Sequence, residues 1–240
     1  MIVREKAGEL RRQLLEDVNE LVGKVSIVSK VHSVMFFGST ARGDVHEFSD
    51  VDLLLVCSNT LEARRVVHHL NHRFEVSVYS PEELASMAKL GLPFIHHLAG
   101  EGVVLNDDGS YKTAIENLSD TNIDTLRIAS SEVREAIKVY SPLSEFNLAY
   151  VAHIFGPLLN LMETYLCMRK IFIFRKEEAI KKFVVLHPEL LPLQNYLLRL
   201  LRVYMDYTRF GLREDVDLNR FMKAVEEILK VVEGKLQREC

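Results

Sequence analysis

The chain has 240 residues, of which 48% are hydrophobic, and a formal net charge of −4 with acids and bases interspersed along its length. That is enough apolar material for one large domain or two small ones, and the mixed charge excludes the one-sided basic footprint of a general nucleic-acid binder. No apolar run approaches the roughly 20 residues of a membrane span, and Met1 to Lys6 lacks a signal-peptide core, so a cytoplasmic location is expected. Cys57, Cys167 and Cys240 are far apart and form no CxxC pair, which argues against both a disulfide framework and a zinc site.

Taken in chain order, Leu10, Leu14, Leu15, Val18, Leu21 and Val22 recur at helical spacing between charged residues, which predicts an amphipathic helix over 3–24. A short apolar strand follows at 33–37, then a turn and short helix at 38–43, and a second strand at 50–56. Asn59 or Thr60 is placed to cap a helix over 61–71. Residues 73–79 alternate cleanly, with Phe74, Val76 and Val78 on one face and Glu75, Ser77 and Tyr79 on the other. Ser80-Pro81-Glu82-Glu83 reads as a helix start, with Ser80 as cap, Pro81 at the first position and Glu83 closing a capping box. A further helix is expected over 94–99 and a last short strand over 102–105. The turn cluster Asn106-Asp107-Asp108-Gly109-Ser110 marks a domain boundary.

Beyond about residue 122 the strand signals stop. Residues 124–140, 146–170, 176–183, 191–210 and 219–236 all show helical periodicity, with turns at Ser141-Pro142, His187-Pro188-Glu189 and Phe210-Gly211. The predicted class is therefore α+β: a mixed-sheet domain over 1–110 and an all-helical bundle over 120–240.

The densest chemical signal lies between the first two strands. Gly38 permits a bend and a close backbone approach, Ser39 is placed to cap the short helix Thr40-Ala41-Arg42, and helix starts of this kind attract phosphate. Asp50 and Asp52 are two apart on a strand and so share a face. Two acids held together call for a cation, and Mg²⁺, which takes hard oxygens from one or two carboxylates and completes its shell with phosphate and water, suits them. A phosphate cradle beside a metal-binding acid pair points to nucleotide chemistry.

Gly38-Ser39, Ala41-Arg42-Gly43 and Ser49-Asp50-Val51-Asp52-Leu53 together resemble the signature of the nucleotidyltransferase superfamily related to DNA polymerase β, closest to its minimal and antibiotic nucleotidyltransferase branches. The resemblance implies a Mg²⁺-dependent enzyme, with Mn²⁺ as a substitute ion, that moves an NMP from a nucleoside triphosphate to an acceptor hydroxyl and releases pyrophosphate. It implies Asp50 and Asp52 as metal ligands, Gly38, Ser39 and Arg42 at the nucleotide phosphates, and Glu75 as the third acid. Glu75 would complete the metal site or take a proton from the attacking hydroxyl, and the family more often has aspartate there. Gly100 to Leu105 is similar to the strand that ends many minimal nucleotidyltransferase domains.

The helical half resembles the substrate-binding domain of antibiotic nucleotidyltransferases, and Glu163 to Phe183 resembles HEPN-type domains. The Arg and His motif of HEPN ribonucleases is absent, so ribonuclease activity is not expected. The resemblance makes Glu163 a candidate base on the acceptor hydroxyl, against its reading as an ordinary helix-surface acid. Tyr165, Phe172, Phe174, Tyr204, Tyr207 and Phe210 offer a ligand-stacking wall or, more simply, core. His68 and His72 have the i, i+4 spacing of a metal pair, although a surface explanation is simpler, and His96 and His97 stay unassigned. The acceptor stays open among a small molecule, a protein side chain and an RNA end. A homodimer is compatible with the sequence, and no membrane partner is expected. The rival reading is a non-catalytic nucleotide-binding or assembly module, or an antitoxin-like enzyme that modifies a protein.

Overall fold

The computed structural model describes residues 2–43, 51–70, 74–141, 147–211 and 214–238. Contacts divide the chain into two compact units, one made of 1–89 and 94–118 and the other of 90–93 and 119–240.

The first unit is a four-stranded mixed sheet with helices on both faces. Helix α1 (Ile2–Ser26) leads into β1 (Val31–Phe36), the one-turn helix α2 (Gly38–Arg42), β2 (Val51–Cys57), α3 (Thr60–His69) and β3 (Phe74–Tyr79). After these come α4 (Pro81–Lys89), α5 (Pro93–Glu101), β4 (Val103–Asp107) and α6 (Ser110–Glu116). The sheet order is β3-β2-β1-β4. β1 runs antiparallel to both β2 and β4, while β2 and β3 are parallel, as their connection through α3 requires.

Period-2 alternation sorts the side chains of the sheet. Val51, Leu53, Leu55 and Cys57 of β2 join Val34, Phe36, Phe74 and Val78 under α1 and α3, packed with Val18, Leu21, Val25 and Ala63. Leu54 and Val56 point the other way, with Met35, onto Leu84 and Ala88 of α4 and Ile95 and Leu98 of α5. Asp52 shares the parity of Leu54 and Val56, and that parity decides its face.

Local signals translate directly into local structure. The Asn59 side chain accepts from the Glu62 N–H at 3.2 Å and starts α3. The capping box forms in full: the Ser80 hydroxyl accepts from the Glu83 N–H at 3.1 Å and the Glu83 carboxylate from the Ser80 N–H at 2.7 Å. Two expectations fail. Leu15 lies 38% exposed, outside the core stripe of α1, and α2 is capped by Phe37 without any side-chain bond, so Ser39 is its second residue rather than its cap.

At the end of the sheet where β1 begins, His32 bridges two strand termini, with Nδ1 2.8 Å from Asp108 Oδ2 and Nε2 2.7 Å from Ser58 Oγ. The Ser110 hydroxyl, His32 and Lys30 hold the Asp108 carboxyl well below the usual carboxylate range. A depressed folded-state pKa stabilises the fold above the ordinary carboxylate value of about 4, and the contribution is lost as pH falls below it. Asp108→Ala is therefore expected to lower Tm at pH 7, with the difference from the native chain shrinking below about pH 4. Thermal melts across that range check it, and a gap that stays constant down to pH 3 would refute it.

The second unit consists of α7 (Ile123–Tyr140), α8 (Asn147–Met168), α9 (Lys176–Leu186), a 3-10 segment (Pro188–Leu193), α10 (Gln194–Phe210) and α11 (Leu218–Arg238). Helix α8 is apolar nearly all round because it is the centre of this unit. Phe155, Leu158, Leu161, Met162 and Tyr165 are essentially inaccessible and meet Leu126, Val133, Phe183, Leu197, Phe221 and Val225 from the surrounding helices.

Candidate active site

The site begins where β1 leaves the sheet. Gly38 has φ +61°, a left-handed conformation that a side chain would strain. Its second constraint is spatial. A Cβ on Gly38 would lie 2.1 Å from Oδ2 and 2.9 Å from Cγ of Asp52, so the Asp52 carboxylate occupies the space that the missing side chain leaves. The Phe37 N–H donates to the Asp52 carbonyl at 3.2 Å, tying the turn to the start of β2. The turn and the acid are one packed object.

In the parallel pairing of β2 and β3, Asp52 lies opposite Glu75. Register partners on adjacent strands point to the same face, with backbones about 4.8 Å apart. Asp52 is half-buried and Glu75 exposed. Two of the three expected acids are thus neighbours; the third, Asp50, lies outside the described residues. Among the described residues no group of three or more His, Cys, Asp or Glu side chains converges to hold a metal. What is present nevertheless suits Mg²⁺ in kind: two hard-oxygen carboxylates at adjacent register, one pressed against a glycine turn.

Arg42 and Gly38 both meet a residue that the sequence reading passed over. The Glu101 carboxylate accepts from the Gly38 N–H at 3.1 Å through Oε1 and from Arg42 Nη1 at 2.5 Å through Oε2. Its side chain is 5% exposed, against 23% for Arg42. Arg42 therefore spends this contact on a protein carboxylate, and the Gly38 N–H is turned the same way. His97, one turn earlier on α5, brings Nδ1 to 3.9 Å from Glu101 Oε1. Glu101 reaches the turn because of Gly102, where a Cβ would meet Met35 Cε at 2.1 Å and the Leu98 carbonyl at 2.4 Å. Only glycine lets α5 end so close to β1. The available signal was an acid between two glycines at the close of an apolar helix.

Ser39 is half-exposed on α2, and Thr40 Oγ1 is buried beside it with no hydrogen-bond partner among the described residues. On α3, His68 and His69 are both exposed, while His72 lies outside the described residues. His96 is buried in α5. In the helical unit Glu163 is half-buried on α8, one turn before Cys167; burial, and then the Glu163 charge, push that thiol up to about 12.

Among the described residues the aromatic group does not form a single wall. Tyr165 is core, edge-on to Phe183 at 5.2 Å, and Tyr204 packs on Phe155 at 5.7 Å. Phe172 is 42% exposed, Phe174 and Tyr207 are half-buried, and the Phe210 side chain lies outside the described residues. Helical periodicity puts Tyr165, Tyr204 and Tyr207 against the core of the helical unit, whereas Phe172 and Phe174 lie in the non-helical stretch after α8.

Residues 19–111 match the family described as polymerase beta, nucleotidyltransferase. No curated protein matches the chain. Among solved structures, the chain is similar to the spectinomycin adenyltransferase AAD(9) from Enterococcus faecialis, crystallised with ATP and spectinomycin, at 14% identity and a TM-score of 0.49, covering 91% of this chain and 99% of that one. It is also similar to a toxin-antitoxin structure with AMP-PNP, at 15% identity and a TM-score of 0.30, covering 54% of this chain and 97% of the other.

Proposed function

We propose that this chain, whose residues 19–111 match the polymerase beta nucleotidyltransferase family, transfers an NMP from a nucleoside triphosphate to an acceptor hydroxyl, with Mg²⁺ (or Mn²⁺ in its place) at the acids of β2 and β3. The observation that carries the reading is the packing of the Asp52 carboxylate into the space beside Gly38, with Glu75 at the same register on the next strand. A turn that is obliged to be glycine and an acid that fills the vacated space support a reading in which triphosphate and cation meet at this turn.

In the proposed reaction the acceptor oxygen attacks the α-phosphorus, a new P–O bond forms, and the bond from the α-phosphorus to the bridging oxygen breaks to release pyrophosphate. Bound at the acid group, Mg²⁺ would neutralise charge on the triphosphate and make the acceptor hydroxyl easier to deprotonate. Asp52, with Asp50, supplies the ion's carboxylate ligands. Glu75 lies beside Asp52 and is exposed, so it can complete that set or receive the hydroxyl proton. Ser39 and the backbone around Gly38 hold the terminal phosphates. The Arg42 charge acts from behind, through its pairing with Glu101. Selection of the acceptor, whether small molecule, protein or RNA end, is assigned to the helical unit.

Incubating the protein with each of the four α-labelled NTPs and a cell extract, with and without Mg²⁺, tests the reading. The expected result is Mg²⁺-dependent pyrophosphate release and label on one acceptor species. Nucleotide binding without release in the presence of extract would instead favour a non-catalytic binding module, and label confined to a protein band would identify a protein-modifying enzyme.

A further inference from the structure

We infer that Glu101 is the positioning residue of this site: it clamps the two ends of α2 and thereby sets where Gly38, and through it Asp52, stand. The inference rests on the nucleotidyltransferase reading for its functional meaning, though its geometry is independent of that reading. Helix α2 has five residues, none of them fully buried, and no side-chain cap, and its opening backbone bond, from the Ala41 N–H to the Phe37 carbonyl, is 3.4 Å long. One turn of helix has little stability of its own, because nucleation fixes several residues for a single bond. Its position must come from outside.

Glu101 supplies that support with both oxygens of one carboxylate. Oε1 takes the N–H of the first residue of α2, and Oε2 takes the guanidinium of the last. The carboxylate is 5% exposed, so solvent does not screen the pair as it would on a surface. Removing it leaves the Gly38 N–H without its acceptor and strips Arg42 of this partner. The consequence passes directly to Asp52, since its Oδ2 would lie 2.1 Å from a Cβ at Gly38. Glu101 need not touch nucleotide for its loss to be felt there.

Assigning Arg42 to the clamp rather than to phosphate makes a distinctive prediction. Arg42→Ala keeps the bond from Gly38 to Glu101, and its kcat for pyrophosphate release from MgATP, or from whichever NTP is used, is expected to fall by about tenfold or less. Glu101→Ala loses both contacts and is expected to fall by roughly 100-fold, in line with the cost of an ångström-scale misplacement of a reacting group. The double variant should be no worse than Glu101→Ala alone, because the two residues act as a unit. Glu101→Gln, which keeps one acceptor oxygen, should fall between the native chain and Glu101→Ala.

All are measured at 25 °C on protein whose thermal melt shows it folded. Multiplicative losses in the double variant, a rise in KM confined to Arg42→Ala, or unchanged turnover in Glu101→Ala would overturn the inference. Hydrogen exchange of the 38–43 amides without nucleotide separates this outcome from failure of the functional reading. Protection in that segment should drop at least several-fold in Glu101→Ala even if no NTP proves to be a substrate, and unchanged protection would overturn the clamp by itself.

Discussion

Asp52→Asn is expected to reduce nucleotidyl transfer by about three orders of magnitude while leaving the fold intact. Asparagine is nearly isosteric with aspartate, so the packing against Gly38 survives and the β2 core of Leu53, Leu54 and Leu55 is untouched. What disappears is a negative charge at the point where a divalent ion would be held, and metal-mediated charge stabilisation is worth several kcal/mol, which corresponds to roughly 10³-fold in rate. Stability should hold or rise slightly, because Glu75 at the adjacent register loses a like-charged neighbour. The two readouts must diverge: pyrophosphate release falls while Tm does not. A variant that transfers nucleotide at the native rate would refute the proposed role of Asp52 as a metal ligand.

Gly38→Ala is expected to be nearly as damaging for a different reason. At φ +61° an alanine is strained by about 1–2 kcal/mol. Its Cβ would also sit 2.1 Å from Asp52 Oδ2, so the carboxylate has to swing away from its seat. The stability loss should be modest, since no residue of α2 is fully buried. Turnover should fall by about 100-fold or more, because the displaced group is the one proposed to hold the ion. Measuring Tm and kcat on the same preparation checks this, and a loss of stability without loss of turnover would show that Gly38 serves the turn alone.

Much of the architecture is legible because it is written locally. The cap at Asn59, the capping box of Ser80 and Glu83 and the alternation of Phe74, Val76 and Val78 each involve residues within a few positions of one another. The candidate site is legible only in part. Gly38, Asp52 and Glu75 stand out by type and spacing, and β3 carries Glu75 on the face that its alternation predicts. Glu101 does not stand out, because its bond to Gly38 spans 63 positions and no periodicity encodes it. Ser39 misleads for the complementary reason: a good capping residue sits where the backbone enters α2 two residues earlier than local preference suggests, and so serves inside the helix.

By itself, then, the order of residues determined the α+β class, the strands and helices of the sheet domain as far as β4, the all-helical second half and the choice of candidate acids and glycine, while α6 (Ser110–Glu116), where a boundary turn was expected, went unread. Those features follow from hydrophobic period, turn chemistry and side-chain type, all of which act over a few residues. Tertiary structure decided which acids become neighbours, that Arg42 is drawn to a protein carboxylate, and that the Asp52 carboxylate fills the space a Gly38 side chain would need. Strand register and close backbone approach come from burying the two sheet faces at once, a condition set by the whole core and not by any one segment.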